Sequence, residues 1–429
     1  MIRRVAVLLV VLTACTAPAP GPDAGVHAGP PPDAGAPDAS SDAGEPDAGC
    51  TTPPAPVVVD CDAGCPAIAV AGDPPASAAG SGNFRGYADP SLMHDPAVAQ
   101  RVWLAYSYPH AVSRTALDGG TVYVGAVSSH LARSDDQGAT FTFVRELYAS
   151  NPVSDPEGSG EQGLSNSETV SLAWMADGGT TTWYAAHLRY FQRPIAGYNP
   201  KYGTSWTVHV GAAATPQALG DPVAESAEAV LGVSTTAAVY GATTRLDQLA
   251  GLPVQRCAML NNPALFVRGL TLYLLVECLA FSGSTLDFAN TTAQLFATTP
   301  SGPPVSWTWR HAGTLAGVSL AQELQDDTVQ QYGLTVGAGG AVLVLVTPAH
   351  GDPASQTGVI GDGCVALELA SLEPPVLRRD CAGRAVVRAR LPGPGVQSCA
   401  HDAASVSGLV PHVQLPGTPW RIVSSGLRP

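Results

Sequence analysis

From about residue 82 to the C-terminus, short strand-forming runs recur between turns rich in Gly, Pro and Asp. They fall into five groups: 102–108, 121–127 and 141–144; 169–174, 182–189 and 206–210; 264–267, 271–279 and 293–298; 334–336, 341–346 and 364–369; and 385–391, 411–415 and 421–424. The runs carry Val, Tyr, Trp, Thr and Leu, residues that fit a pleated, half-buried surface. Only 321–332 offers a helical stripe. A chain of strands with no crossover helices cannot build a parallel α/β sheet, so the fold class is all-β. Grouping by threes and fours predicts the blades of a β-propeller. The groups predict five blades, with six as the alternative, over residues 81–429.

Composition narrows the partners. Charged residues are only 13%, and Asp plus Glu (35) outnumber Lys plus Arg (21), for a formal charge of −14. Nucleic acid and anionic membrane surfaces both demand basic residues, so neither is the expected partner. The N-terminus carries Arg3 and Arg4, then a short apolar run over 5–12 and Leu12-Thr13-Ala14-Cys15. That run is too short to span a bilayer of about 30 Å. Residues 16–80 are dominated by small residues, Pro and a recurring Asp-Ala-Gly, a composition that cannot repay the entropy of ordering. They read as a disordered tether from 15 to 80. In an exported chain, Cys61 and Cys65 predict a structural disulfide. Cys257 with Cys278 and Cys364 with Cys381 bracket hairpin-sized intervals, which leaves Cys399 to reach back to the tether.

The segment 1–15 resembles a bacterial lipoprotein signal, which implies a signal peptide over 1–14 and lipidation of Cys15. With no Asp after the cysteine, it implies an outer-membrane anchor, facing the periplasm or the cell surface. The stretch Ser134-Asp135-Asp136-Gln137-Gly138-Ala139-Thr140-Phe141 resembles the Asp-box of sialidase-type propellers. The resemblance gives Ser134, Asp136, Gly138, Thr140 and Phe141 a structural role in a blade hairpin, away from any active centre. Residues 199–206 echo it in part. A second echo sets Ala88-Asp89-Pro90-Ser91-Leu92 beside Asn261-Asn262-Pro263-Ala264-Leu265.

Asp89-Pro90 is similar to the motif that carries the catalytic base in five-bladed arabinofuranosidases and xylosidases. That likeness makes Asp89 the candidate base, with Glu168 or Glu323 as the acid. Glycoside hydrolysis needs such a pair, one carboxyl protonated and one ionised. Glu225, Glu228, Glu277, Asp326 and Asp327 are further acids. Arg85, His187 and Arg189 are candidate substrate-binding residues. No metalloprotease, serine-hydrolase or phosphate-loop motif occurs, so no metal or cofactor is expected. Trp307 and Trp309 share a strand face and predict blade packing. The general-acid motif of those glycosidases and the arginine clamp of sialidases are both absent. The sequence therefore favours a monomeric, catalytically silent propeller that binds a glycan or surface protein, with a glycoside hydrolase as the alternative. It leaves open whether the chain is an enzyme.

Overall fold

The computed structural model describes residues 53–61, 64–115, 119–201, 206–235, 241–283, 285–352 and 359–429. The lipoprotein signal, Cys15 and residues 16–52 of the expected tether lie outside them. The chain divides into two units, 1–49 and 50–429. No helix among the described residues is long and apolar enough to cross a membrane.

The second unit is an all-β propeller. Its first blade runs Ala88–His94, Val102–Thr115, Thr121–Ser134 and Phe141–Tyr148. Its second runs Gln162–Asp177, Thr180–Gln192, Thr207–Ala213 and Ala229–Gly232, with the short Asn151–Ser154 beside the first strand. The third runs Met259–Arg268, Thr271–Leu279, Thr292–Thr298 and Arg310–Ala316. The fourth runs Thr328–Val336, Val342–Gly351, Gly363–Leu372 and Val387–Pro392. These neighbours pair antiparallel. A three-stranded sheet of Val396–Ala400, Val410–Val413 and Arg421–Ile422 follows.

The expected five or six blades are thus corrected to four, with this smaller sheet beside them. The sequence grouping assigned 385–391 to a fifth group, but Val387–Pro392 pairs with Gly363–Leu372 as the outer strand of the fourth blade. The helical stripe over 321–332 resolves into a helix, Val318–Leu324, and the inner strand of that blade.

Middle strands are apolar on both faces because neighbouring blades cover them. Thr271–Leu279 buries all but its first residue, so it reads as a continuous apolar run and not as an alternation. Between the second and third blades, Tyr184, Trp206, Trp307 and Trp309 share one core, so Trp307 and Trp309 pack blades as expected.

Each first strand breaks register at one place: between Ala88 and Ser91, Glu168 and Ser171, Asn261 and Ala264, Gln330 and Gly333, and Gln397 and Ala400. The bulge holds a positive φ at Asp89 (45°), Thr169 (54°), Asn262 (43°), Gln331 (51°) and Ser398 (51°). A bulge re-aims the side chains around it. All five line a narrow central channel of about 60 Å³. The Asp89/Asn262 echo is therefore one structural slot, occupied also by three residues without sequence likeness.

The tether boundary is corrected at its C-terminal end. Val57–Val58 pairs in parallel with Ala389 and Arg390 of the fourth blade. Ala67 bridges Val423, the residue after the last strand of the three-stranded sheet. Val70–Ala71 pairs in parallel with Phe141 and Thr142 of the first blade. Composition forecast disorder, but these few apolar residues find exposed sheet edges. Disulfides join Cys61 to Cys65 and Cys257 to Cys278, as expected. Cys364 pairs with Cys399, not with Cys381, which is itself disulfide-bonded.

In the 134–141 turn, Ser134 Oγ donates to Asp136 Oδ1 (2.6 Å) and accepts from the Gly138 N–H (2.7 Å). Asp136 also accepts from the Thr140 N–H (2.9 Å) and hydroxyl (2.6 Å). These bonds draw its carboxyl down to a pKa of about 2. Phe141 is buried beside Val70, Val410 and Ile422.

Candidate active site

One large cavity, about 680 Å³, opens over the channel. Asp89 and Glu168 both line it, with Ser107, Thr169, Asn261, Asn262, Gln330, Gln331, Gln397 and His412. Phe84, Tyr198, Trp206 and Trp420 supply aromatic wall. Phe84 stacks on Tyr198 with centroids 4.9 Å apart and meets Trp420 edge-on at 5.5 Å. Among the described lining residues there is no lysine or arginine.

Asp89 sits at the first bulge. Ser107 Oγ donates to its Oδ2 (2.9 Å), and its Oδ1 lies 3.4 Å from His412 Nδ1. Its own N–H donates to that same nitrogen at 3.1 Å. Burial pushes the carboxyl up, but the His412 ring beside it and hydrogen bonds from Ser107 and Ser398 outweigh that, and the pKa falls below the ordinary aspartate value. Asp89 is therefore ionised at neutral pH.

Glu168 lies one residue before the second bulge. Burial, reinforced by the nearby Asp89 charge, lifts its pKa to about 8, against the opposing hydroxyls of Tyr190 and Tyr198. Tyr190 Oη donates to Glu168 Oε2 (2.9 Å) and accepts from Tyr198 Oη (3.0 Å). Tyr190 is held by Trp206, stacked on it at 4.3 Å. Ser107 Oγ also accepts the Thr169 N–H at 2.9 Å, so one hydroxyl ties the strand carrying Glu168 to the Asp89 carboxylate.

Beside the cavity floor, Glu277 is buried and accepts from Asn261 and Asn262 side chains (3.0 Å each) and from the Gln331 N–H (2.6 Å). Burial prevails over these donors and raises its pKa to about 7.

The other candidates stand elsewhere. Glu323 pairs with Arg379 and accepts the Ala385 N–H, and it does not line the cavity. Arg85 donates to the Gly82 carbonyl at 2.7 Å, next to Phe84. Arg189 pairs with Glu225 at 3.5 Å. His187 is buried inside the second blade. The structure thus brings Asp89 and Glu168 together and leaves the other four outside. Sequence reasoning did not pick Ser107, His412, Tyr198 or Trp420. His412 comes from the three-stranded sheet, 323 residues from Asp89, and no local motif announces it.

No protein-family model matches the chain, and no curated protein matches its sequence. Solved structures show a loose likeness. A Bacillus subtilis arabinanase is 10% identical over 80% of this chain and 98% of its own, with a TM-score of 0.41. A protein of unknown function from Dyadobacter fermentans is 14% identical over 83% and 95%, with a TM-score of 0.42. An exo-1,5-alpha-L-arabinanase from a bovine ruminal metagenomic library is 12% identical over 80% and 93%, with a TM-score of 0.38.

Proposed function

We propose that the cavity is the active site of a glycoside hydrolase acting on neutral glycans. The observation that carries this reading is the split between two carboxyls in one aromatic-walled cavity, Asp89 ionised and Glu168 protonated. Opposed environments of this kind assign acid and base roles. Glu168 donates its proton to the glycosidic oxygen as the bond to the anomeric carbon breaks. Asp89 takes a proton from the water that adds to that carbon. The aromatic walls fit the apolar faces of sugar rings, and the floor amides fit their hydroxyls. The ionised Asp89, with no lysine or arginine among the described lining residues, repels an anionic sugar, which favours neutral glycosides over sialosides.

The test is a panel of arabinosides, xylosides and sialosides. Turnover is expected on a neutral glycoside, with a basic limb near pH 8 set by Glu168. Asp89→Asn and Glu168→Gln should each fold and lose at least about 10²-fold in rate. Undiminished turnover in both variants would overturn the assignment. Glycan binding with no turnover would favour the silent-propeller reading.

We also propose that Cys15 is lipidated and holds the propeller at the outer membrane, on the strength of Leu12-Thr13-Ala14-Cys15. Cys15→Ala should move the protein out of the membrane fraction, and unchanged partitioning would reject it.

A further inference from the structure

A second cluster lies in the second blade, apart from the cavity. His187, on Thr180–Gln192, and His209, on Thr207–Ala213, are direct cross-strand partners. Their rings are 5.2 Å apart. Glu228 enters from the residue before the outer strand Ala229–Gly232. His187 Nε2 lies 3.3 Å from Glu228 Oε1, and His209 Nδ1 lies 3.0 Å from Oε2. The site is deep: His187 is 0% exposed, Glu228 4% and His209 8%.

We propose that His187, His209 and Glu228 form a structural zinc site. Three features support it. The donor atoms all lie within 4.8 Å of one another. Zinc bonds of about 2.0–2.1 Å in a tetrahedron need donors roughly 3.3 Å apart, close to the spacing already present. Two imidazoles with one carboxylate suit zinc and not calcium or magnesium, which take oxygen ligands.

Each imidazole is also oriented by its far nitrogen. His187 Nδ1 meets Ser167 Oγ at 2.8 Å, and His209 Nε2 meets Thr207 Oγ1 at 3.2 Å. Hydroxyls held this way fix ring orientation in metal sites.

The backbone leaves room for the carboxylate. A Cβ at Gly211 would come within 3.2 Å of Glu228 Oε1, so a larger residue there would press on the carboxylate.

Tyr148 stacks on His187 at 3.7 Å, is 0% exposed, and closes the site over that ring.

The experiment uses the tag-free full chain. Chelator-treated protein is titrated with zinc and, separately, with cobalt(II). One equivalent of zinc should bind, raising Tm by roughly 3–6 °C at 100-fold excess over Kd. Cobalt should give the intense visible bands of a four-coordinate site. His209→Gln and Glu228→Gln should lose the bound equivalent and the cobalt bands. His350→Ala, in the separate half-exposed cluster of Asp326, His350 and Asp362, should keep both. If the variants fail to fold, the wild-type titration still decides. No stoichiometric binding by the wild-type chain would overturn the proposal. So would loss of the metal in His350→Ala with retention in the other two.

Discussion

At the scale of single residues, Glu168 governs behaviour with pH. Its pKa is near the ordinary 4.5 in the unfolded chain and about 8 in the fold. The folded state therefore holds this proton more tightly. The contribution to stability is complete below pH about 4.5 and is lost as pH rises toward 8. The loss is bounded by roughly 5 kcal/mol. Glu168→Gln keeps the shape and the bond from Tyr190 but has no proton to lose. Denaturant unfolding at pH 5 and pH 8 should show the variant gaining on the wild type as pH rises. Parallel stability curves would mean that Glu168 is not held protonated. Asp89 acts oppositely: its lowered pKa gives stability present above the ordinary aspartate value and lost on acidification.

Among the elements, the 134–141 hairpin turn carries the clearest local design. Gly138 adopts a φ of 87°, and a Cβ there would run into Ser405 Oγ. Its carbonyl accepts from the Ser407 hydroxyl, and the Gln137 carbonyl accepts the Val406 N–H at 2.8 Å. The turn is thus a docking point between the first blade and the 402–408 loop. Gly138→Ala forces a positive φ on a residue with a Cβ and pushes on that loop, for a cost of about 1–3 kcal/mol. Chemical denaturation should read that loss with the m-value unchanged. An alanine variant as stable as wild type would show that the loop yields freely.

Across the whole molecule, the segment from Val57 to Ala71 joins what the chain order leaves apart. It crosses from the fourth-blade edge to the three-stranded sheet and then to the outer strand of the first blade. Just beyond, the Asp73 carboxylate holds His130 Nδ1 at 2.7 Å and the Tyr106 hydroxyl. On the inner side, Asp402 accepts from the His94 N–H at 2.9 Å and meets its Nδ1 at 2.8 Å. A ring of blades opens at the junction of first and last, so contacts there set its stability. A chain starting at residue 73 should melt at least about 5 °C below one starting at 53 and expose unpaired strand edges. Equal melting temperatures would show that the segment adds no strength.

The all-β class was legible in sequence because strand preference and turn punctuation are properties of neighbouring residues. Asp89 and Asn262 could be matched for the same reason, since each is followed by proline in a similar pentapeptide. Cys257 and Cys278 pair because one hairpin brings them together. The remainder depended on contacts between distant parts of the chain. Thr169, Gln331 and Ser398 fill the same slot as Asp89 with no shared motif, because a bulge constrains backbone and not side chain. Val387–Pro392 joins the fourth blade by pairing, which no run of residues encodes locally. The meeting of Asp89 with His412, and the burial that keeps Glu168 protonated, arise only when the blades close round the channel. A pKa is set by surroundings, and those surroundings are assembled by the tertiary fold.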